Sequence, residues 1–183
     1  MQQWKTISRK MILNHSKYLI VEDHSIELPN GRVLEHWSWL DMPDYIIVVT
    51  LTEQGDYLCF RQTKYAVEGT SLAPVGGYLE PGEEPLAAAQ RELLEETGYE
   101  SPEWISLGTF VSDGNHGAGK AHLFLARHAH KVADPVADDL EEQQLLRLTR
   151  PQLDKALEGG EFKVLGWTAG VALALRLAGN DKP

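Results

Sequence analysis

Cysteine is almost missing from this 183-residue chain, with Cys59 the only one. A single cysteine closes no intramolecular disulfide, which argues against a stapled, secreted fold. Cys59 lies in the apolar stretch Tyr57-Leu58-Cys59-Phe60 and reads as a small buried hydrophobe rather than a nucleophile. Long apolar runs are also missing, and none approaches the roughly 20 residues that span a bilayer. The N-terminal Met1-Gln2-Gln3-Trp4-Lys5 has no signal-peptide core. These absences read as a soluble cytoplasmic protein. Positive charge is scarce: 17 Lys and Arg stand against 27 Asp and Glu, a net charge of −10. A general nucleic-acid or membrane-surface binder needs cationic excess, so neither partner is expected. Internal repeats and low-complexity tracts are absent as well.

What is present suits an ordinary core, since 43% of residues are hydrophobic. Residues 18–28 and 33–39 flank Leu28-Pro29-Asn30-Gly31-Arg32, and Asn-Gly between such runs signals a hairpin. Residues 1–43 are read as a small antiparallel β appendage and 44–183 as the main domain. Tyr45 to Leu51 is a nearly continuous β-branched run, as in a strand buried on both faces. Another strand is expected over 57–62, an irregular polar loop over 65–71, and further strands over 104–111 and 122–128. The spacing predicts a helix over 85–97, with Pro85 in its first turn and Gly98 as its stop. Its apolar stripe would be Leu86, Ala89, Leu93 and Leu94. Two more helices are expected over 150–158 and 168–178. This mixture implies an α/β (α+β) sandwich.

Residues 77–99 carry the chemistry. On the predicted helix Glu92 and Glu96 share a face, with Glu95 beside them. Carboxylates that converge repel unless a cation sits among them, and hard oxygen donors at this density suit Mg²⁺ or Mn²⁺. Arg91 follows Glu83 by eight residues and precedes Glu95 by four, so it can hold a carboxylate bidentately. Gly76-Gly77 permits close backbone approach, leaving a main-chain carbonyl of Gly76 available to a metal. Any single Glu pair, by contrast, reads as a solvated helical face.

The complete pattern resembles the Nudix box, Gly-x5-Glu-x7-Arg-Glu-(aliphatic)-x-Glu-Glu-x-Gly-(bulky apolar). Gly77, Glu83, Arg91, Glu92, Leu93, Glu95, Glu96, Gly98 and Tyr99 occupy its fixed positions. The resemblance implies a Nudix α/β/α sandwich and Mg²⁺- or Mn²⁺-dependent hydrolysis of a nucleoside diphosphate linked to another moiety. It also implies that Glu92 and Glu96 are the main metal ligands, Glu95 a further ligand or base, Glu83 an accessory carboxylate and Arg91 its organiser. In related enzymes a base lies on an acidic loop beyond the box, where Asp139, Glu141 and Glu142 stand here. Glu141 is placed ahead of the other two, with Glu95 as its competitor.

Beyond the box, Leu28-Pro29-Asn30-Gly31, Arg61-Gln62-Thr63-Lys64-Tyr65 and Leu146-Arg147-Leu148-Thr149 resemble the ADP-ribose pyrophosphatase branch. That likeness implies hydrolysis of ADP-ribose to AMP and ribose 5-phosphate by a homodimer, with Arg61 and Lys64 binding substrate. Members of that branch often carry Glu where Leu72 stands and Arg where Lys64 stands. They also carry Ser-Pro-Gly where this chain has Ser112 to Gly117. ADP-sugars, GDP-sugars, dinucleotides and free nucleotide caps therefore stay open, as does a non-catalytic ligand sensor. Trp37, which alternates with Trp39 on one strand face, and His116, in a Gly-rich stretch, are further substrate-binding candidates; core or dimer-interface packing and a solvated loop are the respective alternatives. The remaining histidines show no zinc-ligand spacing.

The charge deficit is local. Residues 77–100 hold seven acids and one base, a net −6, and residues 134–142 hold five acids and no base. The rest of the chain is close to neutral, at +1. A deficit placed this way suits a metal-bridged anionic substrate rather than general repulsion of anions.

Overall fold

The computed structural model describes residues 1–136 and 142–178, so Asp139 and Glu141 lie outside the described residues. The chain forms two compact units, residues 1–44 with 110–120, and residues 45–109 with 121–183.

The first unit contains β1 (Lys5–Ser16), β2 (Leu19–Glu27) and β3 (Val33–Asp41), paired antiparallel in succession. The Asn-Gly signal marks the turn between β2 and β3. Gly31 adopts φ +82°, a conformation costly for other residues, and its N–H donates to the Leu28 carbonyl. The strand β1 has no counterpart in the sequence reading. Its residues are exposed almost throughout, so it lacks the in-out alternation that betrays a half-buried strand.

The second unit is built around β4 (Tyr45–Thr52). Its successors are β5 (Tyr57–Lys64), β6 (Val67–Ala73), β7 (Val75–Tyr78), α1 (Pro85–Thr97) and β8 (Tyr99–Glu100). Then come β9 (Glu103–Asp113), β10 (Gly117–Lys131), β11 (Gln143–Leu148), α2 (Arg150–Glu158) and α3 (Leu165–Ala178). β4 is buried on both faces, as its β-branched run requires. Ile46 and Val48 pack with Ala88, Ala89 and Leu93 of α1. Val49, on the opposite face, joins Leu153 of α2 and Val171 and Ala174 of α3. Ile47 shares that face, and Gly166 lets α3 approach it closely: a Cβ there would stand 2.9 Å from the Ile47 side chain. Each buried Val, Leu or Ile among these contributes roughly 1.5–3 kcal/mol. Helices thus cover both faces of the sheet, the α/β/α layering expected above.

One edge of β4 is shared. Val75 to Tyr78 of β7 pair antiparallel with Tyr45 to Val48, whereas β5 pairs with Thr50 and Leu51 at the other end. The opposite edge pairs in parallel with β10. β11 adds to the far side of β5, with Gln143 opposite Gln62. Residues 65–71, read as a loop, instead form most of β6, which pairs with β5. The first half of β6 is exposed and polar, so its sequence looks like a loop, while the ladder to β5 supplies its order.

Candidate active site

The helix α1 spans the predicted residues. Pro85 opens it, where a missing N–H costs nothing, and Gly98 closes it at φ +74° with its N–H donating to the Leu94 carbonyl. A side chain at position 98 would collide with the Ala133 carbonyl oxygen. Ala88, Ala89, Leu93 and Thr97 are buried and fix the helix against the sheet, whereas Leu86 is exposed. Glu92 and Glu96 flank this buried face and turn towards the sheet at β4 and β7, while Glu95 is exposed and Arg91 lies beside it.

Arg91 is the centre of this group. Its Nε and Nη2 donate to both oxygens of Glu83, at 2.9 and 3.0 Å, the bidentate pairing expected of it. Its Nη1 donates to Glu92 Oε1 at 2.8 Å and to Glu95 Oε2 at 3.0 Å. The Glu80 N–H adds a bond to Glu83. Chiefly through the hydrogen bonds from Arg91, the Glu83 carboxyl is held below its ordinary pKa. The same carboxylates, with Glu83 first, hold the guanidinium protonated well above its ordinary range.

The sign of the Glu83 shift gives a stability prediction. A carboxyl whose folded pKa is depressed stabilises the fold at pH above its unfolded value and loses that contribution as pH falls towards the folded one. The stability difference between wild type and Glu83→Gln, measured by denaturant titration, should be constant near neutrality and shrink as pH drops below about 4.3. A difference that grows on acidification would contradict the pairing.

Glu92 and Glu96 line a cleft of about 450 Å³ in the second unit. β4 contributes Tyr45, Ile46 and Ile47; β5 contributes Phe60, Gln62 and Lys64; β7 contributes Gly76, Gly77 and Tyr78. Pro74, Gln143, Val164 and Trp167 complete it. Gly77 makes room for the acid: a Cβ at that position would fall 2.0 Å from Glu92 Oε1. The cleft thus opens between β5 and β7, where the two strands divide one edge of β4.

Among the described residues, no three His, Cys, Asp or Glu side chains are drawn together as a ready metal cage. Arg91 holds the carboxylates of Glu83, Glu92 and Glu95 instead. The donor chemistry still fits Mg²⁺ or Mn²⁺, because two carboxylates one helical turn apart face a common cleft beside the Gly76-Gly77 backbone. Glu92, Glu96 and the Gly76 carbonyl are the groups that would hold the ion.

The other candidates divide. Lys64 lines the cleft, and Arg61, one strand position out of phase, pairs with Glu161 at 2.6 Å. Glu95 does not line the cleft and is largely exposed. Glu142 is exposed too. Trp37 and His116 come together in the first unit, stacked with ring centroids 5.8 Å apart. The Trp37 indole donates to the Asn115 carbonyl. Asp113 accepts from the Asn115 and His116 N–H groups and pairs with the His116 ring. Sequence reasoning overlooked Gln62, Gln143 and Trp167. The alternation that makes Lys64 a cleft residue also selects Gln62 and Phe60 and would have found them.

A family model described as the NUDIX domain matches residues 41–167. The ADP-ribose pyrophosphatase of Bacillus subtilis (strain 168) is 30% identical over 155 residues, covering 84% of this chain and 81% of that protein. A CMP-5'-(N-acetyl-N-hydroxy-3-aminopropyl)phosphonate hydrolase of Streptomyces rubellomurinus (strain ATCC 31215) is 26% identical over 168 residues, covering 92% of this chain and 81% of its own length. The crystal structure of an ADP compounds hydrolase superimposes with a TM-score of 0.80 at 19% identity, covering 100% of this chain and 98% of that one. No helix among the described residues is long and apolar enough to cross a membrane.

Proposed function

Because this chain belongs to the Nudix family and is a Nudix hydrolase of the ADP-ribose pyrophosphatase-like kind, we propose that it cleaves ADP-ribose to AMP and ribose 5-phosphate. The observation that carries this reading is the placement of Glu92 and Glu96 in one cleft with Lys64 and the bare Gly76-Gly77 backbone. A bound Mg²⁺ or Mn²⁺ would supply charge neutralisation for the diphosphate and acidify a water molecule. Glu92 and Glu96 would hold that ion with the Gly76 carbonyl, and Glu95, bonded to Arg91, would be the further ligand.

The protein's own groups perform the rest. Lys64 places a positive charge against phosphate oxygens in a region otherwise rich in carboxylates. Arg91 holds Glu83 and Glu92 in fixed orientations, so these acids do not have to be ordered when substrate enters. A carboxylate takes the proton from the attacking water, and Glu141, with Glu95 as the alternative, is proposed for that role. The homodimer is part of this reading: Ile7, Met11, Ile12 and Leu13 of β1 are exposed in the single chain, as residues covered by a second copy would be. A monomeric mass in sedimentation would remove that part.

Comparison of kcat/KM for ADP-ribose, ADP-glucose, GDP-mannose, NADH, diadenosine polyphosphates and dNTPs, with Mg²⁺ and with Mn²⁺, tests the substrate. ADP-ribose is expected to rank first. A higher value for another member of the panel would keep the hydrolase and replace the substrate.

A further inference from the structure

We infer that Gln62 reads hydroxyl groups of the sugar esterified to the substrate's diphosphate; this rests on the reaction proposed above and narrows its substrate class. Gln62 is only 7% exposed, yet it lines the cleft. Among the described residues no protein group hydrogen-bonds its side-chain amide. Its amide atoms are not sealed off; they reach the cleft, beside the buried Phe60 on the same strand face and with Ser71 and Gln143 opposite on the flanking strands. A group kept polar in such a place, and turned towards the cavity, is placed to meet a ligand.

The neighbours decide which part of a ligand. Gln143 stands directly opposite Gln62 in the ladder between β11 and β5 and also lines the cleft. Directly paired side chains begin about 5 Å apart, so two carboxamides edge the same space. The Gln62 carboxamide offers an acceptor oxygen and two N–H donors, a match for neighbouring hydroxyls that both donate and accept. Lys64 lies two residues along the same strand face, about 6.8 Å away, where its ammonium suits a phosphate. A group at that separation is the sugar carried directly by the phosphate. A nucleobase would lie one sugar further. Phe60 and Trp167, both lining the cleft, offer apolar surface to the C–H face of a sugar ring.

The test uses Gln62→Met, of similar length without hydrogen bonding, and Gln62→Glu, which keeps acceptors and loses donors. Substrates are ADP-ribose, its 2′-deoxyadenosine analogue, ADP esterified to a plain alkyl alcohol, and the hypoxanthine analogue of ADP-ribose. Affinity for ADP-ribose is measured separately by calorimetry in EDTA. Gln62→Met should lose about tenfold or more in kcat/KM on ADP-ribose, mainly through KM, with Tm unchanged or raised. Wild type and variant should converge on one analogue: the alkyl ester if the terminal sugar is read, the 2′-deoxy compound if the adenosine ribose is read. Unchanged kinetics, or equal losses on every substrate, would overturn the inference. So would a loss that disappears only with the altered base. Wild type that binds ADP-ribose without cleaving it would refute the proposed reaction, while weaker binding by Gln62→Met would still support the sugar contact. A wild-type protein that neither binds nor cleaves any of these compounds would refute both.

Discussion

Glu96→Gln is expected to lower turnover by about 10²–10⁴-fold while leaving the fold intact. The substitution is nearly isosteric and removes one negative charge from the cleft that Glu92 also lines. α1 does not depend on this side chain for its place, because Ala88, Ala89, Leu93 and Thr97 make its buried face. Far-ultraviolet circular dichroism and Tm should therefore match wild type while the rate collapses. Activity close to wild type would show that the carboxylate pair is not the hydrolytic centre. Glu95→Gln offers the contrast, since Glu95 touches Arg91 and does not line the cleft. A smaller loss there would assign it to organising Arg91 rather than to the reacting groups.

Gly77→Ala is expected to produce the second large loss, for a different reason. A methyl group at this position would overlap the Glu92 carboxyl, at 2.0 Å from Oε1 and 2.2 Å from Cδ. One of two things must move. Either the carboxyl swings away from the cleft, or β7 shifts against β4, to which Gly77 is paired opposite Ile46. Displacement of a reacting group by about 1 Å can cost on the order of a hundredfold in rate, so kcat should fall by that order. Mn²⁺ affinity, measured by electron paramagnetic resonance, should fall with it. The neighbouring Gly76→Ala meets only the Ile46 carbonyl oxygen, at 3.1 Å, and should be milder. Equal effects from both alanines would mean that general backbone disturbance, not the Glu92 contact, explains the loss.

The arrangement of the box residues was readable because it is local: Glu92 and Glu96 line one cleft through helical spacing, and Arg91 reaches Glu95 through the same geometry. The ends of α1 were readable because Pro85 and Gly98 each satisfy a backbone requirement by themselves. The double burial of β4 was readable because a β-branched run without polar relief has no exposed face to offer. Across the ladder between β5 and β11, however, Gln62 and Gln143 are 81 positions apart in the chain, and neither has a local pattern that announces the other. The difference between Arg61 and Lys64 was hidden for a related reason. Both are cations in one short stretch, and only the strand's phase sends Lys64 to the cleft and Arg61 to Glu161. The strands β1 and β6 escaped because exposure erased their alternation, leaving pairing partners elsewhere to decide their conformation.

Arg91 also sharpens the meaning of the acidic composition. In this structure the cation among the acids is supplied by the protein itself, with Glu83, Glu92 and Glu95 bonded to one guanidinium. Glu92 is therefore shared between Arg91 and the cleft. That sharing orients the acid before any ligand arrives.

The most direct measurement is ³¹P NMR of ADP-ribose incubated with the protein and Mg²⁺, then with excess EDTA. The account predicts that the diphosphate resonances give way to AMP and ribose 5-phosphate in equal amounts, and that chelation stops the conversion. Intact ADP-ribose in the presence of both Mg²⁺ and Mn²⁺, or products other than this pair, would contradict it.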